Sequence, residues 1–426
     1  MIRTTVFSAG AKTNLARSAW LAWSVAALFY AYEFFQRLAP SAMESALTHS
    51  LALSAEAFGS LGACYFYAYA IAQLPTGLLF DNYGIKRTLI GASLLVALGS
   101  LLFALAPGLW LAQLARVLVG LGSAFAFLGC LQIARAGFSE QWLPIVIGLT
   151  NSLGIVGALF AEKPLTAFIA ATDWRVTMLA AALFGVLLTG LMIMGLGSQQ
   201  LRQTTASPGL KLGWQRLANQ LMKVLANPLS WIVALIAALR VVPVISFGEL
   251  WAPAFFRQSF AIDPQAAATI VSFLFIGIGV GGPVNGWLAN YLGRYNWLLI
   301  TGLGSLVGLL LILYPPLTSL WWLKTLLFAQ GFFASGMLLS FSINSELNSA
   351  DVQGTVMAFT NMLIMVLGGL FQFLVGWILD LQSHDAATQL KFNLADFQHA
   401  LVIIPLAVGL SIMLNLLLIW LKKPNT

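Results

Sequence analysis

The string Gly77-Leu78-Leu79-Phe80-Asp81-Asn82-Tyr83-Gly84-Ile85-Lys86-Arg87 closes one long apolar run and leads into the next. Its glycines, the acid between them and the basic pair behind them predict a tight, charged turn at a membrane face. A second string, Gly286-Trp287-Leu288-Ala289-Asn290-Tyr291-Leu292-Gly293, repeats the Gly-x3-Asp/Asn-x2-Gly spacing about half a chain later. Thr150-Asn151 and Thr360-Asn361 form another pair at nearly the same offset. Two matches at one offset predict two equivalent halves, with a binding site at their interface and alternating access by rocking.

Apolar runs recur outward from these strings in both directions. Each is roughly 20 residues long, the length that crosses about 30 Å of hydrocarbon. Twelve spans are expected, at 18–41, 55–80, 88–106, 109–134, 142–168, 174–196, 229–254, 266–289, 296–316, 320–345, 353–380 and 398–421. Composition agrees: only 8% of residues are charged and 60% are hydrophobic, against roughly 25% charged in soluble domains. The expected fold class is an all-α membrane protein with twelve transmembrane helices in two pseudo-symmetric six-helix bundles. Residues 1–196 form the first bundle, 197–228 a linker and 229–426 the second. In the linker, Leu210, Trp214, Leu217, Leu221 and Val224 recur at spacings of three and four. That pattern predicts an amphipathic helix along the cytoplasmic membrane surface. No cleavable signal peptide is evident, because the first apolar run is too long and keeps Glu33 and Arg37.

The formal charge of +7 follows from where the basic residues lie. With a cytoplasmic N-terminus, that side carries Arg3, Lys12, Arg17, Lys86, Arg87, Arg135, Arg202, Lys211, Arg216, Lys223, Arg294, Lys422 and Lys423. The other side carries only Lys163, Arg175, Arg257, Lys324 and Lys391. This positive-inside bias places both termini in the cytoplasm and makes the lipid bilayer, not nucleic acid, the partner. Cys64 and Cys130 lie within spans and read as small buried apolar residues. His49, His384 and His399 lack metal-ligand spacing, so no metal and no cofactor is expected. Gly277-Ile278-Gly279-Val280-Gly281-Gly282 matches a dinucleotide-binding string but sits inside an apolar span. Its Gly277-x3-Gly281 spacing reads as close helix packing. No HExxH or GxSxG string is present, so a membrane-embedded enzyme lacks its catalytic groups.

Four ionisable residues fall at depths where hydrocarbon would surround them: Glu33, Arg37, Arg116 and Arg240. Such groups usually face a polar cavity or an ion path. At ~1.5 Å per residue, Glu33, Arg116 and Arg240 share roughly one level, and Arg37 lies a turn further out on the face of Glu33. This pattern predicts that Glu33 carries a proton and that its distance from Arg116 or Arg37 sets its proton affinity. Arg37 and Arg240, one from each half, would hold a substrate carboxylate or phosphate, since guanidinium stays charged and binds oxyanions in bidentate fashion. A static Glu33–Arg37 pair that only fixes helix packing is the alternative. Asn151, Asn361, Tyr30 and Tyr65 complete the expected substrate contacts. Glu249, with Trp251 and Pro253, reads first as an interfacial anchor, with an outer gate as the alternative. Glu162-Lys163-Pro164 reads as rim structure.

The string from Gly77 to Arg87 resembles the signature loop of the major facilitator superfamily, and it lies between spans 2 and 3, as in that family. The resemblance implies that Gly77, Asp81, Gly84, Lys86 and Arg87 latch the cytoplasmic gate in one state. Arg135, at the inner end of span 4, is the candidate cation for Asp81. Arg116-x3-Gly120-x-Gly122 is similar to the family's span-4 motif, whose arginine lies near the proton-coupling site, and Asp173-Trp174-Arg175 is usual at the start of span 6. The antiporter motif of span 5 is not matched: the segment from Gly148 to Gly157 lacks proline until Pro164. Tyr30-x-Tyr32-Glu33-x3-Arg37-x2-Pro40-Ser41-x-Met43, Gln73-x-Pro75-x-Gly77 and Ala124-Phe125-Ala126-Phe127 with Cys130-Leu131 resemble one branch of the superfamily. That branch includes phagosomal nutrient transporters of intracellular bacteria and a lysosomal dipeptide carrier. Many bacterial members have lysine where this chain has Gln132, which leaves the substrate open.

The expected function is proton-coupled uptake of a small polar metabolite, an amino acid or short peptide, by a monomer in a bacterial inner membrane. A proton-antiport exporter is the rival mechanism, and a non-transporting membrane receptor is the rival class.

Overall fold

The computed structural model describes residues 9–196, 210–317, 319–382 and 392–422. The described residues are almost entirely helical and contain no strand. In the first half the helices are α1 (Ala9–Ala42), α2 (Glu44–Ser50), α3 (Ala55–Gln73), α4 (Thr76–Ala104), α5 (Leu109–Ser123), α6 (Ala126–Gly137), α7 (Leu143–Phe160), α8 (Lys163–Ala171) and α9 (Trp174–Gly195). The connecting helix is α10 (Leu210–Leu225). The second half holds α11 (Pro228–Val242), a π-helix (Pro243–Trp251), α12 (Ala252–Phe260), α13 (Pro264–Leu292), α14 (Arg294–Leu313), α15 (Leu320–Ala334), α16 (Leu339–Glu346), α17 (Gln353–Gln382), α18 (Leu394–Leu401) and α19 (Ile403–Lys422).

Among the described residues, ten helical segments are long and apolar enough to cross a membrane. Helices α1 and α3 also reach spanning length, at 34 and 19 residues, but they hold the polar residues of the charged centre. Several spans are broken by their own sequence. Pro243 opens the π-helix in the seventh span, and Glu162 parts α7 from α8 in the fifth. The second span differs from its expected bounds of 55–80. Helix α3 stops at Gln73, Pro75 starts a new turn, and the reversal comes at Gly84, whose φ of 77° strains any residue with a Cβ.

Glycines set the helix spacing. A Cβ at Gly120 would stand 2.2 Å from the Tyr65 carbonyl oxygen, and one at Gly122 would stand 2.5 Å from that of Ala92, so α5 lies directly against α3 and α4. Gly277 and Gly281 lie equally close to the backbone of α15, as expected of a packing seam. Between the halves, α3 and α17 run antiparallel, with Gly59, Gly369 and Gly376 at the seam.

Chain residues 197–209 of the expected linker lie outside the described residues. Helix α10 joins both halves at the face where α1 begins and α19 ends, here named the terminal face. Val224 packs with Val352, Val356 and Phe359, Gln220 bonds to Asp351 and Thr355, and Gly213 sits on Leu78. Trp214 and Met222 of α10 remain exposed.

Candidate functional site

The charged centre begins with a proline. Pro40 lies inside α1 and has no N–H, so the carbonyl of Gln36 loses its helical partner. Arg116 Nη1 donates to that carbonyl at 2.8 Å, and Nη2 and Nε reach the carbonyls of Arg37 and Leu61 at 3.3 Å. The guanidinium lies 4.7 Å from the centre of the Tyr65 ring. Tyr65 Oη in turn donates a short hydrogen bond to Glu33 Oε1. Glu33 is 1% exposed, and Tyr30, Tyr65 and Tyr69 around it are buried as well. The structure therefore brings Glu33, Arg116 and Tyr65 into one buried group at the contact of α1, α3 and α5.

Arg37 extends this group across the halves. Its Nε and Nη2 donate to Glu249 Oε2 and Oε1 at 2.7 and 2.6 Å, a bidentate pair almost closed to water. Phe34 and Phe66 flank the guanidinium, with ring centres 5.2 and 5.1 Å away. Glu249 is thus no interfacial anchor. It sits in the π-helix, whose wider turn re-aims side chains from their α-helical directions. Glu162 is likewise buried within electrostatic reach of Glu249, not at a rim. Two further bonds join the halves nearby, toward the face opposite the termini: Ser41 Oγ to the Leu250 carbonyl at 3.1 Å, and Arg257 Nη1 to Glu44 Oε2 at 3.0 Å.

Arg240 does not join them. It is fully buried inside the second half, donating to Ser411 Oγ at 2.8 Å, Thr301 Oγ1 at 3.4 Å and the Leu298 carbonyl at 2.7 Å. The planar group lies on Gly302, the one side-chain size that leaves room for it. The expected pairing of Arg37 with Arg240 around a substrate is therefore absent, since helix packing uses the second arginine. Asn361 of α17 faces Tyr69 of α3 across the halves. Asn151 of α7 is exposed, one turn before Ile155, which touches Gly279 of the second half. Tyr30 packs at the edge of Phe34 and against Phe127.

A profile described as the Major Facilitator Superfamily matches residues 22–372. The chain belongs to the Major Facilitator Superfamily. Its relatives include an uncharacterized transporter, YybO, of Bacillus subtilis (strain 168), 36% identical over 162 residues, or 37% of this chain and 36% of that protein. The match thus spans about a third of that relative's length. The membrane sensor protein UhpC of Salmonella typhimurium (strain LT2) is 24% identical over 79% of each chain. A bacterial homolog of the human lysosomal transporter Spinster, solved in an inward-facing and unoccupied conformation, superposes with a TM-score of 0.72 at 14% identity. The match covers 94% of this chain and 97% of that one. The fold is that of a multi-pass major facilitator protein.

The superfamily's signature loop is not clasped here. Among the described residues nothing lies within 4 Å of a Cβ position at Gly77, so no close helix contact requires a glycine there. Asp81 is exposed and forms no ion pair among the described residues; the charge acting on it is Arg216 of α10, not Arg135, which is itself exposed. Lys86 Nζ caps the Ile193 carbonyl at 2.6 Å, at the end of α9, and Arg87 is exposed. Sequence reasoning passed over Gln36, fully buried and bonded to Tyr32 and Ser100 at 2.7 and 2.5 Å. It also passed over Gln372, whose Nε2 donates to the Ile245 carbonyl of the π-helix at 2.7 Å. A polar residue in an otherwise apolar span was the available signal for both.

Proposed function

We propose that this protein is a secondary transporter that takes up a small polar metabolite, an amino acid or short peptide, together with a proton. The carrying observation is the buried series Glu33, Arg37 and Glu249, which sets a buried carboxyl beside an arginine that bridges the halves. In this reading the terminal face is cytoplasmic, and the conformation is closed to the outside.

Arg37 can serve one of two acids. When Glu33 is protonated, it no longer attracts the guanidinium, and Glu249 holds Arg37 fully. The proton-loaded carrier therefore favours the outer-closed state. Release of the proton to the cytoplasm leaves Glu33 charged. It then competes for Arg37, weakens the bridge to Glu249 and lets the outer face reopen. Tyr65 donates to the charged carboxylate and Arg116 holds Tyr65 from behind, so both tune the exchange. A substrate carboxylate arriving at Arg37, with Asn361 and Tyr69 opposite, would couple cargo to the same switch.

The test is uptake into vesicles under an imposed proton gradient. An inward gradient is expected to drive accumulation. Glu33→Gln is expected to abolish gradient-driven accumulation while leaving counterflow exchange of substrate. Accumulation driven only by an outward gradient would establish the exporter instead. A second reading, a substrate sensor, is favoured by the likeness to UhpC over most of both chains. It would show as ligand binding without flux in either gradient.

A further inference from the structure

A second contact joins the halves at the outer face through backbone donors. The last turns of helix α17 carry Gly376-Trp377-Ile378-Leu379-Asp380, and α3 of the other half begins at Ala55. Asp380 Oδ1 accepts the Ala55 N–H at 2.9 Å, and Oδ2 accepts the Glu56 N–H at 2.8 Å. These are two of the donors that a helix start leaves unsatisfied, at the end where the backbone dipoles favour an anion. The N-cap Ser54 takes a third, from Ala57, at 3.2 Å. Gly376 makes the approach possible: a Cβ there would stand 2.3 Å from the Ala55 carbonyl oxygen.

The spelling Gly-x3-Asp occurs also at Gly77–Asp81, beyond the other end of the same antiparallel pair. The two copies are in opposite states. Gly376 is packed and Asp380 bound, whereas Gly77 is open and Asp81 makes no hydrogen bond among the described residues. In the proposed function, rocking one half against the other would close one end of the α3–α17 seam as it opens the other.

We infer that Asp380 is the gating residue of the outer face. It clasps the N-terminus of α3 when that face is shut, as the mirror of the role the resemblance implies for Asp81 at the terminal face. This rests on the alternating-access reading above. The clasp is geometric, needing a carboxylate at Asp380 and the absence of a side chain at Gly376. It acts at the same face as the Arg37–Glu249 bridge but through different residues.

The experiment places spin labels at His49→Cys and Gln265→Cys on the outer face, and at Ala136→Cys and Asn290→Cys on the terminal face, in purified full-length protein. Asp380→Ala and Gly376→Ala are each expected to lengthen the outer distance and shorten the terminal one. Asp380→Glu is expected to recover part of the shift. Asp396→Asn, which alters a cap within the second half alone, is expected to leave both distances unchanged. Folded Asp380→Ala and Gly376→Ala proteins with unaltered distances would overturn the clasp, even if proton-driven uptake is intact. Shifted distances in a protein that moves no metabolite would retain the clasp and remove the transport reading.

Discussion

The terminal face and the face opposite it, the outer one in the proposed function, are built from similar parts and held in different ways. The hydrogen bonds that join the halves directly at Arg37–Glu249, Ser41–Leu250, Arg257–Glu44 and Ala55/Glu56–Asp380 all lie toward the outer face. Toward the terminal face the halves meet directly at Tyr69 and Asn361 and otherwise through α10, which touches Leu78 on one side and Asp351 and Thr355 on the other. The difference teaches how one chain can hold two states. In this conformation the direct bonds lie at one face, and in the proposed function the other face would carry the closing elements of the opposite state.

The sharpest way to break this asymmetry is to remove Glu249. Loss of one member of a buried ion pair costs about 3–5 kcal/mol, because the other charge stays in low dielectric. Glu249→Ala should therefore move the population of the outer-closed state by about a hundredfold or more at 1.4 kcal/mol per decade. Cysteine accessibility at the outer face would read it, and the exchanged pair Arg37→Glu with Glu249→Arg should recover part of the closure.

Gly84→Ala tests the terminal face. The combination of φ 77° and ψ 160° is open essentially to glycine and costs a residue with a Cβ about 1–3 kcal/mol. The melting temperature should fall by a few degrees, with the outer-face distances unchanged.

The Arg257–Glu44 bridge should matter less, since Arg257 is partly exposed. Burial pushes the Glu44 carboxyl above its ordinary range, although Arg257 pulls it back. An acid raised in the folded state adds stability that is present below its unfolded pKa and lost as pH rises through the folded one. Glu44→Gln should flatten that part of the stability–pH curve and change closure by roughly 0.5–1 kcal/mol. Smallest of all, Lys223→Ala removes an exposed partner of Asp351 and should leave thermal stability and both faces within error.

Much of this was legible in the chain. The apolar runs, the repeat and the positive-inside bias need only local composition, because a bilayer constrains length and charge residue by residue. Glu33, Arg116 and Tyr65 could be singled out because ionisable and hydroxyl groups in hydrocarbon are rare enough to need a reason. Their roles were less legible. Arg37 and Arg240 look alike as buried arginines, yet one crosses the halves to an acid 212 positions away and the other rests on Gly302 among neutral acceptors. The π-helix that turns Glu249 inward follows from Pro243 in hindsight, but proline alone states only that a helix is interrupted, not how.

Sequence alone established a membrane chain of repeated halves with a charged middle, since hydropathy and spacing act over one or two helical turns. Tertiary packing assigned the partners: Glu249 to Arg37, the Gln36 carbonyl to Arg116, and Asp380 to the start of α3. Those assignments depend on the angle between two bundles. That angle is set by glycine contacts far apart in the chain, and no local pattern encodes which of two near-equivalent faces is shut.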